Sequence, residues 1–375
     1  MGATVKLGRI LGVEVGMNWS VLAVFVLVAW GLAGGVLPQD EPGRSATAYW
    51  ASGLATAVLF FLCLLAHELS HALVARRNGL TVSGITLWLL GGVTRIEGEM
   101  PSARAELRVA GVGPLVSLGL GVLFTGAAAA LAGIGAPGLI SGSAAWLGVI
   151  NVLLAVFNSI PAAPLDGGRL LRAVLWRRTG DRTGSALKAA AAGRGVGWSL
   201  IAGGTLLAFL TGRFDGFWFA LIGWFLLTSA TAEGRQARMG TLLAGVSARQ
   251  IMTRDPEPVS ASLTVARFLA GDPLRLRATA FPLTVGEPTP IGLVTLERLR
   301  RVPASARDDV RLRDLMFPLD QVVLAGPDDP AAELIPRLGA APAHHALILE
   351  DGRLVGLVSP ADVTRVLRWA ELNRR

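Results

Sequence analysis

Cysteine and tyrosine occur once each in these 375 residues, as Cys63 and Tyr49, histidine occurs four times, and charged residues make up only 17%. A single cysteine excludes an intramolecular disulfide framework and any cysteine-rich metal site. Four histidines restrict imidazole chemistry to a very small set. The shortage of charge comes with 52% hydrophobic residues and a mean hydropathy of +0.53, too apolar for a soluble chain of this length, and places the protein in a bilayer. Of the formal charge of +8, residues 1–240 hold +7 (18 Lys and Arg against 11 Asp and Glu) and residues 241–375 hold +1 (17 against 16). The basic surplus thus belongs to the membrane part, where it holds loops on the cytoplasmic side. No basic soluble surface remains for a nucleic acid, and none is expected as a partner.

Six segments are long and apolar enough to cross: 16–37, 47–75, 106–133, 138–160, 195–212 and 214–232. The first resembles a signal sequence, but a run of about 20 apolar residues exceeds the usual signal core of about 7 to 15 and reads as a retained anchor. With a cytoplasmic N-terminus, the inner loops carry Arg76, Arg77, Arg95, Arg104 and Arg108, then seven more basic residues from Arg169 to Arg194; the outer loops keep only Arg44 and Arg213. That asymmetry puts both termini, and the soluble tail, in the cytoplasm of a multi-pass protein of the cell membrane. Trp19, Trp50 and Trp176 fall near predicted span ends, as interfacial anchors do. Residues 80–99 alternate, are rich in β-branched side chains and carry Gly91-Gly92 in the middle, the pattern of a hairpin or short sheet. Such backbone survives at membrane depth only where protein or a water-filled cavity surrounds it, so this segment is expected to line a site.

Within the second span the only charged residue between Tyr49 and Arg76 is Glu68, in His67-Glu68-Leu69-Ser70-His71. Ionisable groups at this depth are expensive and therefore functional. Residues four apart share a helix face, so His67 and His71 are able to ligate one divalent ion while Glu68 reaches its open side, the pattern of a zinc hydrolase. Arg76 marks the end of the span; at about 1.5 Å per residue, His71 lies roughly 7 Å and His67 roughly 13 Å inward. A hydrolytic zinc takes three protein ligands and leaves a position open, so a third His or carboxylate must come from another helix. Asp166, in Asn158-Ser-Ile-Pro161-Ala-Ala-Pro164-Leu-Asp166-Gly167-Gly168-Arg169, is the best candidate. The prolines end the fourth span, the glycine pair allows a tight turn, and Asp166 is expected to cap the following helix as well. Glu68 would act as general base. Asn158 is placed either to donate to the scissile carbonyl or to bind a neighbouring helix; Asn151 suits the second role. Cys63, on the same stripe as His67, is read as a packing residue.

After Gly240 the pattern turns to soluble α/β and repeats at an offset of 64: Ile251-Met252 matches Leu315-Met316, and Gly292-Leu293-Val294-Thr295 matches Gly356-Leu357-Val358-Ser359. Two modules, at about 245–305 and 309–371, each show a leading segment, a helix, two short strands and a closing helix. His344 and His345 look adjacent in a strand, pointing to opposite faces, which is poor chelate geometry.

The membrane part, through His67-Glu68-Leu-Ser-His71-Ala, the hairpin around Gly91-Gly92, Gly113-Pro114 in the third span and Asn158-x-x-Pro161-x-x-Pro164-x-Asp166-Gly167, resembles the site-2 protease family of intramembrane zinc metalloproteases. The resemblance implies one Zn2+ per chain held by His67, His71 and Asp166, with Glu68 as base and Asn158 orienting the substrate. It further implies that Gly91, Gly92, Gly113 and Pro114 line the substrate path and that the substrate is a transmembrane segment of another membrane protein, cut in regulated intramembrane proteolysis. Where many relatives have Asn a few residues after the Gly-Pro, this chain has Ser117, and no PDZ-like insertion is present. The tail resembles a tandem pair of CBS modules, which commonly bind ATP, ADP or AMP and associate in twos; Thr295, Ser359 and Asp362 match the nucleotide-binding stretch, whereas Arg298 replaces its Asp in the first repeat. The expected architecture is therefore an α-helical polytopic membrane domain over 1–240 with a small membrane-associated sheet, followed by a cytoplasmic α/β CBS pair over 241–375. A CBS-regulated transporter or channel is the alternative, although transport does not require this His-Glu-His spacing and no inverted repeat of broken helices is visible.

Overall fold

The computed structural model describes residues 5–89, 91–212, 215–243, 245–271, 278–286 and 289–372. Arg213, expected in an outer loop, and Phe214, expected to open the sixth span, lie outside the described residues. The chain divides into two compact units, Met1–Arg235 and Gln236–Arg375.

The first unit opens with β1 (Val5–Ile10) and β2 (Val13–Met17), then α1 (Ser20–Gly31), which runs through a π-helical turn at Leu32–Val36 into α2 (Leu37–Asp40). There follow α3 (Ala46–Arg77), β3 (Thr81–Trp88), β4 (Gly91–Glu97), α4 (Ala103–Gly133), α5 (Gly138–Ser159), α6 (Asp166–Thr179), α7 (Arg182–Thr211) and α8 (Asp215–Leu242). Among the described residues, Ser20–Asp40, Ala46–Arg77, Ala103–Gly133 and Gly138–Ser159 are long and apolar enough to cross a membrane. They correspond to the first four expected segments. The first starts later than read, because the residues before it form β2, which lies parallel to β3 with Val15 opposite Ile85. The other two segments fall in α7 and α8, 30 and 28 residues long. These helices approach through glycine: a Cβ on Gly197 would stand 2.9 Å from the Gly223 carbonyl oxygen. Small residues let such backbones touch, and they also dilute hydropathy.

The expected hairpin at 80–99 is present as β3 and β4, but it is half of a four-stranded sheet in the order β1-β2-β3-β4. Val13, Ile85 and Leu87 from this sheet pack with Val21, Leu64 and Ala72, clamping it onto α1 and α3. The Arg76 guanidinium also donates to the Leu11 carbonyl at 2.7 Å, tying the β1–β2 turn to the end of α3. The sheet therefore holds β4 beside the C-terminal third of α3.

The second unit contains α9 (Ala248–Ile251), β5 (Thr253–Arg254), β6 (Val259–Ser260), α10 (Val265–Leu269), β7 (Ala280–Thr284), β8 (Pro290–Thr295), α11 (Leu296–Arg300), β9 (Phe317–Pro318), β10 (Val323–Ala325), α12 (Ala331–Ala340), β11 (Ala346–Glu350), β12 (Arg353–Val358) and α13 (Pro360–Leu372). Both repeats show the expected helix, two strands and closing helix. Their leading segments, however, cross over: β5 completes the sheet β10-β11-β12-β5, and β9 completes β6-β7-β8-β9. Leu293 of one sheet and Leu347 and Leu357 of the other share a buried cluster with Val322 and Ala343.

Candidate metal centre

Helix α3 carries His67, Glu68 and His71 on its buried face in its C-terminal third, with all three side chains nearly excluded from solvent. Helix α4 supplies the frame for both imidazoles. His71 Nδ1–H donates to the Val109 carbonyl at 2.6 Å, and His67 Nδ1 lies 2.9 Å from the Ser117 hydroxyl. With the Nδ1 atoms engaged this way, both rings turn their Nε2 atoms to a common point. Gly113 sits between these two contacts, and a Cβ there would overlap the ring of His71. Only glycine lets α4 come this close.

The third donor arrives from another element. Asp166 is the first residue of α6, and its Oδ2 stands 3.2 Å from His67 Nε2 and 3.1 Å from His71 Nε2, which are themselves 3.1 Å apart. Tetrahedral ligands about 2.0–2.1 Å from zinc stand about 3.3–3.4 Å from one another. The triangle is within a few tenths of an ångström of that spacing. Two imidazole nitrogens and one carboxylate oxygen are also the donor set of hydrolytic zinc sites, with one position left open. The residues therefore fit the ion, and among the described residues they form the only group of three or more such donors gathered closely enough to hold one. Cys63 is buried in α3 outside this group.

Asp166 does not cap its helix as expected. Leu165 is the N-cap and no side chain makes a capping bond, because the carboxylate faces the imidazoles instead. The glycine pair after it serves close packing: a Cβ on Gly168 would overlap the backbone of Ala162–Ala163, so the Pro-rich stretch folds directly onto the first turn of α6.

Glu68 is held from the other side by β4. The Thr94 hydroxyl lies 2.7 Å from Glu68 Oε2 and 3.1 Å from the Glu68 carbonyl, and a Cβ on Gly92 would overlap the Glu68 side chain. Thr94 was not singled out from the sequence; its signal was the alternation of 80–99, which puts Gly92 and Thr94 on one face. Gly91 has open space where a Cβ would be, while Pro114 is buried inside α4. Asn158 is half-buried in the last turn of α5. Asn151 donates to Leu147 O at 2.8 Å within its own helix, and its side chain also meets the Cys63 thiol on α3.

In the second unit, Ser359 and Asp362 are brought together, but they bind each other. Asp362 Oδ2 accepts from Ser359 N at 2.9 Å and from Ser359 Oγ at 2.6 Å, while Oδ1 accepts from Thr253 Oγ1 at 3.3 Å and pairs with Arg365. Thr295 caps α11. Arg298 donates to the carbonyls of Leu315 and Met316 at 3.0 and 2.8 Å and lies 3.4 Å from the centre of the Phe317 ring, filling the position where a carboxylate was expected. His344 and His345 precede β11 rather than lying within it; His345 Nδ1 bonds Ala343 O at 2.6 Å, and burial pushes its pKa down.

The profile of Peptidase family M50 matches residues 55–142 and 134–202, and that of the CBS domain matches residues 312–368. "Putative zinc metalloprotease Rip3" of Mycobacterium tuberculosis is 40% identical over 368 residues, covering 98% of this chain and 93% of its own. "Zinc metalloprotease MJ0392" of Methanocaldococcus jannaschii is 26% identical over 376 residues, covering 100% and 98%. Among solved structures, "Site-2 Protease from Methanocaldococcus jannaschii" aligns with a TM-score of 0.42 at 25% identity, covering 62% of this chain and 95% of that one. Similarity to Rip3 along nearly the whole of both sequences, with the M50 match spanning the helices that carry all three donors, displaces the transporter alternative: the chain belongs to peptidase family M50, the site-2 protease family of zinc metalloproteases, and carries a C-terminal CBS domain.

Proposed function

We propose that the protein holds one zinc ion at His67, His71 and Asp166 and cleaves transmembrane segments of other membrane proteins from within the bilayer. The observation that carries this is the triangle of Nε2, Nε2 and Oδ2 built on a span, with each imidazole held through its other nitrogen. Zinc bound there supplies Lewis acidity and brings the pKa of water at the site towards about 7. Glu68 takes the proton from the attacking water at Oε1, the oxygen Thr94 leaves free, as hydroxide adds to the carbonyl carbon, and returns it to the amide nitrogen as the C–N bond breaks. Asn158 orients the scissile carbonyl. Gly92 and Gly113 pack against Glu68 and the imidazoles and so back the site, and Pro114 is buried inside α4; of the four residues expected to line the substrate path, Gly91, with open space beside it, retains that role. The centre lies in the cytoplasmic half of the membrane, with the N-terminus and the CBS pair in the cytoplasm, a reading supported by Arg76 and Arg77 at the end of α3. Purified full-length protein is expected to contain about one zinc per chain and to lose and regain cleavage with chelation and zinc addition. Activity that persists in metal-free protein would refute the assignment.

The CBS pair is the regulatory part, with an adenine nucleotide at Ser359 and Asp362. Binding requires Asp362 to exchange its contacts with Thr253 and Arg365 for the ribose. ATP, ADP or AMP should raise the melting temperature of the full chain, by the equivalent of about 2.7 kcal/mol at a hundredfold excess over Kd. Asp362→Ala should remove the shift. No shift with any of the three nucleotides would make the pair a structural module.

A further inference from the structure

Three of the contacts that orient the imidazoles come from one stripe of α4: the Val109 carbonyl, the Gly113 backbone and the Ser117 hydroxyl. Three residues before Val109, about one turn earlier on the same helix, lies Glu106, which is buried at 1% exposure. Its Oε1 is gripped by Arg172 through both Nε and Nη2, and the same guanidinium reaches Glu233 Oε1 on α8 at 3.6 Å. Glu106 Oε2 has no partner among the described residues. Arg172 lies on α6, less than two turns beyond Asp166, and Leu170 between them packs over Gly111 of α4 at a distance a Cβ would close to 3.7 Å.

Resting on the zinc reading above, we propose that the Glu106–Arg172 pair is a positioning element of the metal centre: it sets the register of α6 on α4 and thereby holds the Asp166 carboxylate opposite His67 and His71. The stretch from Ile160 to Leu165 is neither helix nor strand; it packs on the first turn of α6 at Gly167 and Gly168, and the Glu106–Arg172 contact adds a direct polar tie between α6 and α4 further along the helix. Apolar contacts such as Leu170 on Gly111 tolerate a slide. A two-pronged guanidinium on one buried oxygen does not. Burying such a pair adds little net stability, and its best-attested use is to specify one register over others. A ligand whose helix shifts by an ångström leaves a triangle whose sides are 3.1–3.2 Å.

The test compares wild type, Arg172→Lys, Arg172→Met and the double variant Glu106→Gln/Arg172→Met as full-length protein in nanodiscs. It reads the rate of zinc loss to a chelating dye from folded protein and, separately, the melting temperature of the zinc-free form. Lysine keeps the charge but offers one point instead of a fork. The double variant leaves no unpaired buried charge and so keeps the fold accessible. Zinc loss is expected to quicken about 10- to 100-fold in Arg172→Met, the range for residues that support metal ligands, and by a lesser factor in Arg172→Lys. The double variant should be no faster than Arg172→Met, because the two residues act as one unit, while its zinc-free melting temperature stays near that of wild type. Zinc loss within twofold of wild type in folded Arg172→Lys and in the double variant would overturn the positioning role and leave the metal centre standing. A wild-type protein that binds no zinc would instead overturn the metal centre, and the positioning role with it.

Discussion

Glu68→Gln is expected to retain about one zinc per chain and to lower cleavage by on the order of 10²- to 10⁴-fold, the usual contribution of a positioned general base. Glutamine keeps the shape and still accepts the bond from Thr94 Oγ1, so the packing of β4 against α3 is undisturbed. It cannot take a proton at neutral pH. The ligand triangle does not include Glu68, which is why the metal should stay. Zinc analysis beside an assay on a reconstituted transmembrane substrate separates the two effects. Full activity in this variant would remove Glu68 from the chemistry, and loss of zinc would place it in the ligand set.

Asp166→Ala should act in the opposite way, on the ion itself. Zinc sites with four protein ligands bind with apparent free energies of about 10–16 kcal/mol, or about 3 kcal/mol per ligand, so losing one of three ligands should weaken zinc binding by roughly 100-fold. The variant also leaves two imidazole nitrogens 3.1 Å apart with no carboxylate beside them. Competition with a chelator of known affinity measures the change. Because the N-cap of α6 is Leu165 and no capping bond comes from Asp166, alanine there removes no cap, and α6 should remain folded. Unchanged zinc affinity would exclude Asp166 as a ligand.

The proposed ligand residues stand out in the sequence because charge and imidazole are costly in an apolar segment. Between residues 49 and 76 Glu68 is the only charged residue, and the spacing of His67 and His71 places them on one helix face. Asp166 was legible by scarcity, as the best-placed carboxylate near apolar sequence. The supports were not. Ser117, Val109 and Thr94 are ordinary residues whose roles depend on which carbonyl or hydroxyl happens to face a ring or a carboxylate, and nothing in their local pattern differs from packing. Likewise, the glycines at 92 and 113 are informative only once Glu68 and His71 are seen against them.

Local chain chemistry alone determined that this protein crosses a membrane, that α3 offers two imidazoles and a carboxylate on one face, and that the tail is a repeated α/β unit, since hydropathy, helical periodicity and internal repetition are properties of neighbouring residues. Tertiary structure alone decided that an N-terminal hairpin joins residues 81–97 in one sheet, that β5 and β9 change places between the repeats, and that Arg172 reaches Glu106 across 66 positions of chain. Those pairings come from shape and hydrogen-bond matching between distant segments, for which a linear sequence carries no periodic signal.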